Sequence, residues 1–164
     1  MSVGHQVNSD HQLARLLQIG IVLEEVVEAR SYRHYQSLDD GTELDPEIES
    51  LLEHAATESA EHRERLEELV DELDAESIPF EEIEALVEAQ YGSTDPDDFD
   101  DILYDQLANE ETAFKFYDDL VGALRASEAT FGVDRDHLIG VLVEIREEEA
   151  DGVEEVTKVM NNRS

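Results

Sequence analysis

Cysteine is missing from all 164 residues. Its absence excludes structural disulfides, thiolate zinc sites, tetrathiolate iron sites and cysteine nucleophiles. Positive charge is scarce as well: Lys+Arg 11 stand against Asp+Glu 44, the formal net charge is -33, and Lys115 and Lys158 are the only lysines. A surface of that sign repels phosphates and argues against a nucleic-acid partner. Long apolar runs are lacking too. The most apolar stretch, Leu16 to Val27, is broken by Gln18, Glu24 and Glu25, and His5, Asp10 and His11 stand where a leader would be basic. Neither a membrane span nor a signal peptide is predicted, and a cytoplasmic location follows.

What is present argues against disorder. The hydrophobic fraction is 40% and the apolar residues are periodic, so the acid is expected to form the skin of a folded chain. An acidic, lysine-poor composition resembles that of salt-adapted, halophilic archaeal proteins, in which carboxylates keep the surface hydrated. In dilute salt such a surface is expected to repel itself. The other use of so much acid, as a sponge for calcium or iron, needs more than composition to support it.

Four helical patterns account for most of the chain. The first is capped by Asp10 and runs to about Leu38, with Leu13, Leu16, Leu17, Gly20, Leu23, Val27 and Ser31 on one face. Asp39-Asp40-Gly41-Thr42 is a turn, and Asp45-Pro46 reads as a cap followed by proline in the first helical position, opening a helix to about Asp74. The stretch from Ala75 to Pro96, with a short amphipathic piece from Phe80 to Gln90, is too long for a hairpin between neighbours and suits a crossover. Asp95-Pro96 repeats the cap. The third helix runs to about Ala126 with Phe99, Leu103, Leu107, Glu110, Phe114, Tyr117 and Val121 on a stripe. After the connection Ser127 to Val133, Asp134 caps a fourth helix to about Met160, whose stripe is Leu138, Val141, Ile145, Glu148 or Glu149, Gly152 and Val156. No strand alternates convincingly. The expectation is an all-α, single-domain four-helix bundle over residues 10 to 160, two helical hairpins joined by a long crossover, with a loose N-terminus over 1 to 9 and a short tail over 161 to 164.

Charged residues on the inner stripes carry the chemistry. In the second helix Glu58 and His62 fall one above the other beside Ala55, Leu66 and Leu69, and groups of this kind are costly to bury unless paired or bound to a metal. Glu28, Glu110, Glu144 and Glu148 supply acids from the other three helices. An internal echo links the halves: Glu28 precedes Tyr35, and Glu110 precedes Tyr117, by the same seven residues, while Glu58 to His62 and Glu144 to Glu148 are each four apart. The shift between halves is 82 residues at Glu28 and Glu110 but 86 at Glu58 and Glu144, a mismatch of one helical turn that leaves register open. Glu24, Glu61 and, further out, His54 are alternative ligands. His34 is expected to pack, and His137 is about 10 Å along the helix from Glu144, too far to share its metal. Each acid taken singly is better explained as surface, and Tyr35 and Tyr117 are equally explained as core aromatics.

On these residues the chain resembles the ferritin-like superfamily, and within it the rubrerythrin-like di-iron proteins. The resemblance rests on Glu28-Ala29-Arg30-Ser31-Tyr32-Arg33-His34-Tyr35, on Glu110-Glu111-Thr112-Ala113-Phe114-Lys115-Phe116-Tyr117, on His62 and on the crossover, and spans about Leu13 to Met160. It implies a pair of iron or manganese ions held by Glu28, Glu58, His62, Glu110, Glu144 and Glu148, with Tyr35 and Tyr117 beside them. The implied activity is reduction of peroxide or dioxygen, or oxidation of Fe(II), with an external electron donor since no rubredoxin-like centre is encoded. Two departures stand out: Ser59 occupies the position where the family pattern Glu-x-x-His places its glutamate, and the fourth helix has no histidine near its acids. The alternative from another class is a non-catalytic bundle acting as an interaction or scaffold protein. A homodimer is expected, through Ile19 and Val22 or through Ile83, Leu86 and Val87.

Overall fold

The computed structural model describes residues 7–38, 46–73 and 99–162, with the backbone alone at 29–38 and 99–102. Four long helices make up nearly all of it: α1 Asp10–Leu38, α2 Pro46–Glu72, α3 Phe99–Ala126 and α4 Arg135–Asn162. No strand occurs among the described residues, so the all-α bundle is observed. The turn at Asp39 to Thr42, the caps at Asp45 and Asp95, the first turn expected at Pro96, the short helix over Phe80 to Gln90 and the Ile83, Leu86 and Val87 face lie outside the described residues.

Local chemistry sets the helix ends. Ser9, not Asp10, caps α1: its Oγ accepts the Gln12 amide at 3.2 Å, and Gln12 Oε1 accepts the Asn8 amide at 2.8 Å. Asp10 is already helical and instead accepts the Gly132 amide at 2.9 Å, tying the start of α1 to the loop between α3 and α4. Asp134 caps α4 as its sequence predicts, accepting the His137 amide at 3.1 Å. At the end of α3 the Arg135 guanidinium donates to the carbonyls of Leu124 and Arg125, acceptors that the helix itself leaves unused.

Helix α1 packs on α2 and α3, and α4 packs on α3 and α2, leaving α1/α4 and α2/α3 on the diagonals. Neighbours run antiparallel. Leu13 and Leu17 near the start of α1 share a cluster with Leu69 and Leu73 at the end of α2, whereas Leu103 near the start of α3 shares one with Ile48 and Leu52 at the start of α2. Helix α2 therefore ends and α3 begins at opposite ends of the bundle, about 40 Å apart along the axis. That is the geometry of two hairpins joined by a crossover.

The apolar core comes in two parts. One fills the end containing Leu13, Leu17, Leu66, Leu120 and Leu142; the other, around Ile48, Leu52, Leu103, Val156 and Val159, fills the opposite end. Between them the interior is polar: Glu24, Ser59, His62, Gln106, Glu110 and Glu149 are all buried there. Val22 is itself buried at 1% exposure and Ile19 packs partly against the first cluster, so this face of α1 is not the exposed apolar patch expected for a dimer contact. None of the described helices is long and apolar enough to cross a membrane.

Candidate metal centre

Five side chains from all four helices meet between the two apolar clusters. Glu24, His62 and Glu149 form one group and Glu58, Glu110 and Glu149 another, each with ligand atoms within 4.8 Å of one another, and Glu149 belongs to both. Helical spacing explains how each helix delivers its share. Glu58 and His62 are one turn apart on α2, whereas α1, α3 and α4 each contribute a single acid at the level of that turn.

His62 is the hub. It is wholly buried, and its Nδ1 lies 3.0 Å from Glu149 Oε1 and 3.3 Å from Glu24 Oε1. Its Nε2, on the opposite edge of the ring, lies 2.6 Å from Glu148 Oε2. Burial by itself lowers the affinity of His62 for a proton, but hydrogen bonding to Glu24 and the charges of the surrounding acids overcome it and raise the pKa to about 9. Without a metal both ring nitrogens accordingly carry protons at neutral pH. Glu24 Oε1 also accepts the Tyr117 hydroxyl at 2.8 Å, and Gln106 donates to Glu110 at 3.2 Å.

The carboxyls are strained electrostatically. Burial first, and repulsion from Glu110 among others, push Glu58 up to about 7. Burial followed by the negative charge of Glu24 drives Glu149 well above the usual carboxylate range, and burial raises Glu110. Tyr117 is likewise pushed up by burial and by Glu24. Within the cluster a single imidazolium faces four acids, Glu24, Glu58, Glu110 and Glu149. Glu24 Oε2 is buried with no hydrogen-bond partner. A buried polar oxygen in that state is costly, and a divalent cation would compensate it.

Space has been left for this arrangement. A Cβ added to Gly152 would stand 2.7 Å from Glu110 Oε2, so the Glu110 carboxylate lies against bare backbone of α4. Ser59 is buried but carries no charge, and the acid that α2 contributes is its neighbour Glu58.

Of the residues singled out in the sequence, the structure gathers Glu58, His62 and Glu110 into the cluster, with Tyr117 hydrogen-bonded to its edge. Glu28 lies one turn beyond and accepts Arg63 Nη1 at 2.8 Å. Glu148 sits at the rim, 36% exposed, between His62 and Arg65. Glu144 is 71% exposed and 3.8 Å from Arg65. Tyr35 is in α1, but its side chain is outside the described residues. His54, exposed, pairs with Glu58 at 3.1 Å, and Glu61 is exposed. Helix α1 places Glu24 in the cluster and α4 places Glu149. Both positions were legible as alternatives, Glu24 as the acid one turn before Glu28 on the same flank of α1 and Glu149 as the neighbour of Glu148 on the α4 stripe.

Comparison with protein-family models, curated proteins and solved structures gives no match to the chain. The fold and the cluster therefore carry the functional argument by themselves.

Proposed function

We propose that this chain is a rubrerythrin-like, ferritin-fold protein that holds two iron or manganese ions and works as an oxidoreductase on peroxide, dioxygen or Fe(II). The observation that carries the reading is the buried cluster itself: two groups of donors sharing Glu149, with a partnerless carboxylate oxygen on Glu24. A shared carboxylate between two donor sets is what a pair of neighbouring cations requires, since bridging oxygens offset their repulsion. Four helices each turning acid inward at one level of a bundle support the same conclusion.

Oxygen-rich donors with one imidazole suit Fe(II) or Mn(II). Such ions supply one-electron redox chemistry in pairs; the residues supply geometry and a dry setting. Glu24, Glu149 and His62 Nδ1 would hold one ion, and Glu58, Glu110 and Glu149 the other. Tyr117 orients Glu24 through its hydroxyl, and the apolar clusters on either side exclude water. Glu58 is the cluster's outward member, 17% exposed beside His54. With no cysteine in the chain, electrons come from a separate donor or from ferrous iron.

The contrasting reading is a bundle that binds no metal and serves as a scaffold. One set of contacts favours it: His62, Tyr117 and Gln106 already donate to the acids of the cluster. Anaerobic titration with Fe(II), followed by oxygen, separates the two. The metal reading expects about two irons per chain and new near-ultraviolet absorbance on oxidation; less than about one iron per chain with no new absorbance supports the scaffold.

A further inference from the structure

We propose that Glu148, fixed by Arg65, is a positioning residue that holds the His62 ring by its Nε2 edge so that Nδ1 is the metal-binding nitrogen. The inference rests on the metal reading above and assigns a role that Glu148 does not have as a ligand. The two edges of the buried His62 ring face different surroundings. Nδ1 looks into the cluster, 3.0 Å from Glu149 and 3.3 Å from Glu24, both of which offer oxygens to the same site. Nε2 looks outward to Glu148, at 2.6 Å, a short contact of the charge-assisted kind.

An imidazole that binds a metal through one nitrogen keeps a proton on the other, and that N–H needs an acceptor to hold the ring in place. Glu148 is the only residue found within hydrogen-bonding distance of Nε2 among the described residues. Arg65 grips both oxygens of Glu148, with Nη1 at 3.4 Å and Nη2 at 3.5 Å, and reaches Glu144 at 3.8 Å. The fork fixes the direction of the carboxylate as well as its position. Successive residues on a helix point about 100° apart, so Glu149 and Glu148 straddle the ring edge, one from inside the bundle and one from its rim. Loss of the Glu148 acceptor frees the ring to turn or to carry its proton on Nδ1, where it blocks the cation.

The test uses the full chain and Zn(II) alone as a diamagnetic probe, with affinity read by competition against a chromophoric chelator and the ring read by nitrogen-15 NMR of labelled histidine. Glu148→Ala is expected to weaken Zn(II) binding by about 10- to 100-fold, Arg65→Ala by less, and Glu148→Gln, whose amide oxygen still accepts, to stay within about threefold of the wild type. The zinc-loaded wild type should show Nδ1 metallated and Nε2 protonated. Metallated Nε2, or Glu148→Ala binding as tightly as the wild type, overturns the proposal while leaving the metal site standing. If the wild type binds none of Zn(II), Fe(II) or Mn(II), the metal reading fails and the proposal with it. Should Glu148→Ala lose its helical circular dichroism, Glu148→Gln and the wild-type spectrum decide: failure of Gln to restore affinity in a folded protein counts against the proposal.

Discussion

Stripped of divalent metal, the protein should lose stability as pH rises from about 4.5 to about 9, a range in which ordinary paired carboxylates are already ionised and contribute no further change. Two groups dominate. Glu58 has an ordinary pKa of 4.5 and is raised to about 7, chiefly by burial. Between those values the folded state keeps a proton that the unfolded state has released, so stability falls with pH, by about 3 kcal/mol over the interval. His62 is raised from 6.5 to about 9 despite its burial, because Glu24 and its fellow acids hold the proton. Its contribution is complete below the unfolded value and is lost as pH climbs through the folded one, about another 3 kcal/mol. Glu110 and Glu149 shift in the same direction as Glu58. The two losses share the Glu58–His62 interaction and do not simply add, but a loss of about 3 kcal/mol or more is already a large part of the stability of many domains, so the metal-free protein should be markedly less stable at about pH 9 than at about pH 5. Urea melts followed by far-ultraviolet circular dichroism, with chelator and ~2 M KCl to screen surface repulsion, measure it. Glu58→Gln should remove the lower part of the slope and His62→Gln the upper. Saturating Mn(II) should flatten or invert it, because the cation displaces these protons on binding. A metal-free wild type whose stability is level or rising from about pH 5 to about pH 9 would refute the buried, shared environment on which the site depends.

Alanine at Glu58 and His62 together should leave the helical spectrum intact and abolish bound metal, as read by elemental analysis; unchanged iron content would place the ligands elsewhere. Gly152→Ala puts a methyl group where Glu110 Oε2 lies 2.7 Å away, and should cost about 1–3 kcal/mol in a thermal melt and weaken metal binding, an unaltered melt being the contrary result. Tyr117→Phe removes the 2.8 Å hydrogen bond to Glu24 and should destabilise the metal-free protein by about 1.5–3 kcal/mol, but the loaded protein by less, since a cation then compensates the carboxylate. Lowering KCl from ~2 M to ~0.1 M should depress the melting temperature of a chain with net charge -33, by loss of screening.

Much of the bundle was legible because its signals are local. Apolar spacing located α1 through α4, and Asp134 announced the start of α4 because a cap needs only its own next turn. The length of chain between α2 and α3 implied that they were not hairpin partners, and they lie on a diagonal. A cap could still be misplaced by one residue: both Ser9 and Asp10 can accept an amide, and Asp10 is drawn away by Gly132, a residue 122 positions later.

The sequence by itself determined that acids from every helix, with the single histidine of α2's inner face, would converge inside an all-α bundle, because burying an apolar stripe fixes what else lies along it. Which acids arrive was decided by tertiary packing. Glu24 and Glu28 are one turn apart, and Glu148 and Glu149 are adjacent, so periodicity ranks neither pair. Arginines from α2 pair with the acids that stay out: Arg63 with Glu28 and Arg65 with Glu148 at the rim, while Glu24 and Glu149 face His62 in the interior. That sorting depends on charges that are far apart in sequence and adjacent only across helix interfaces.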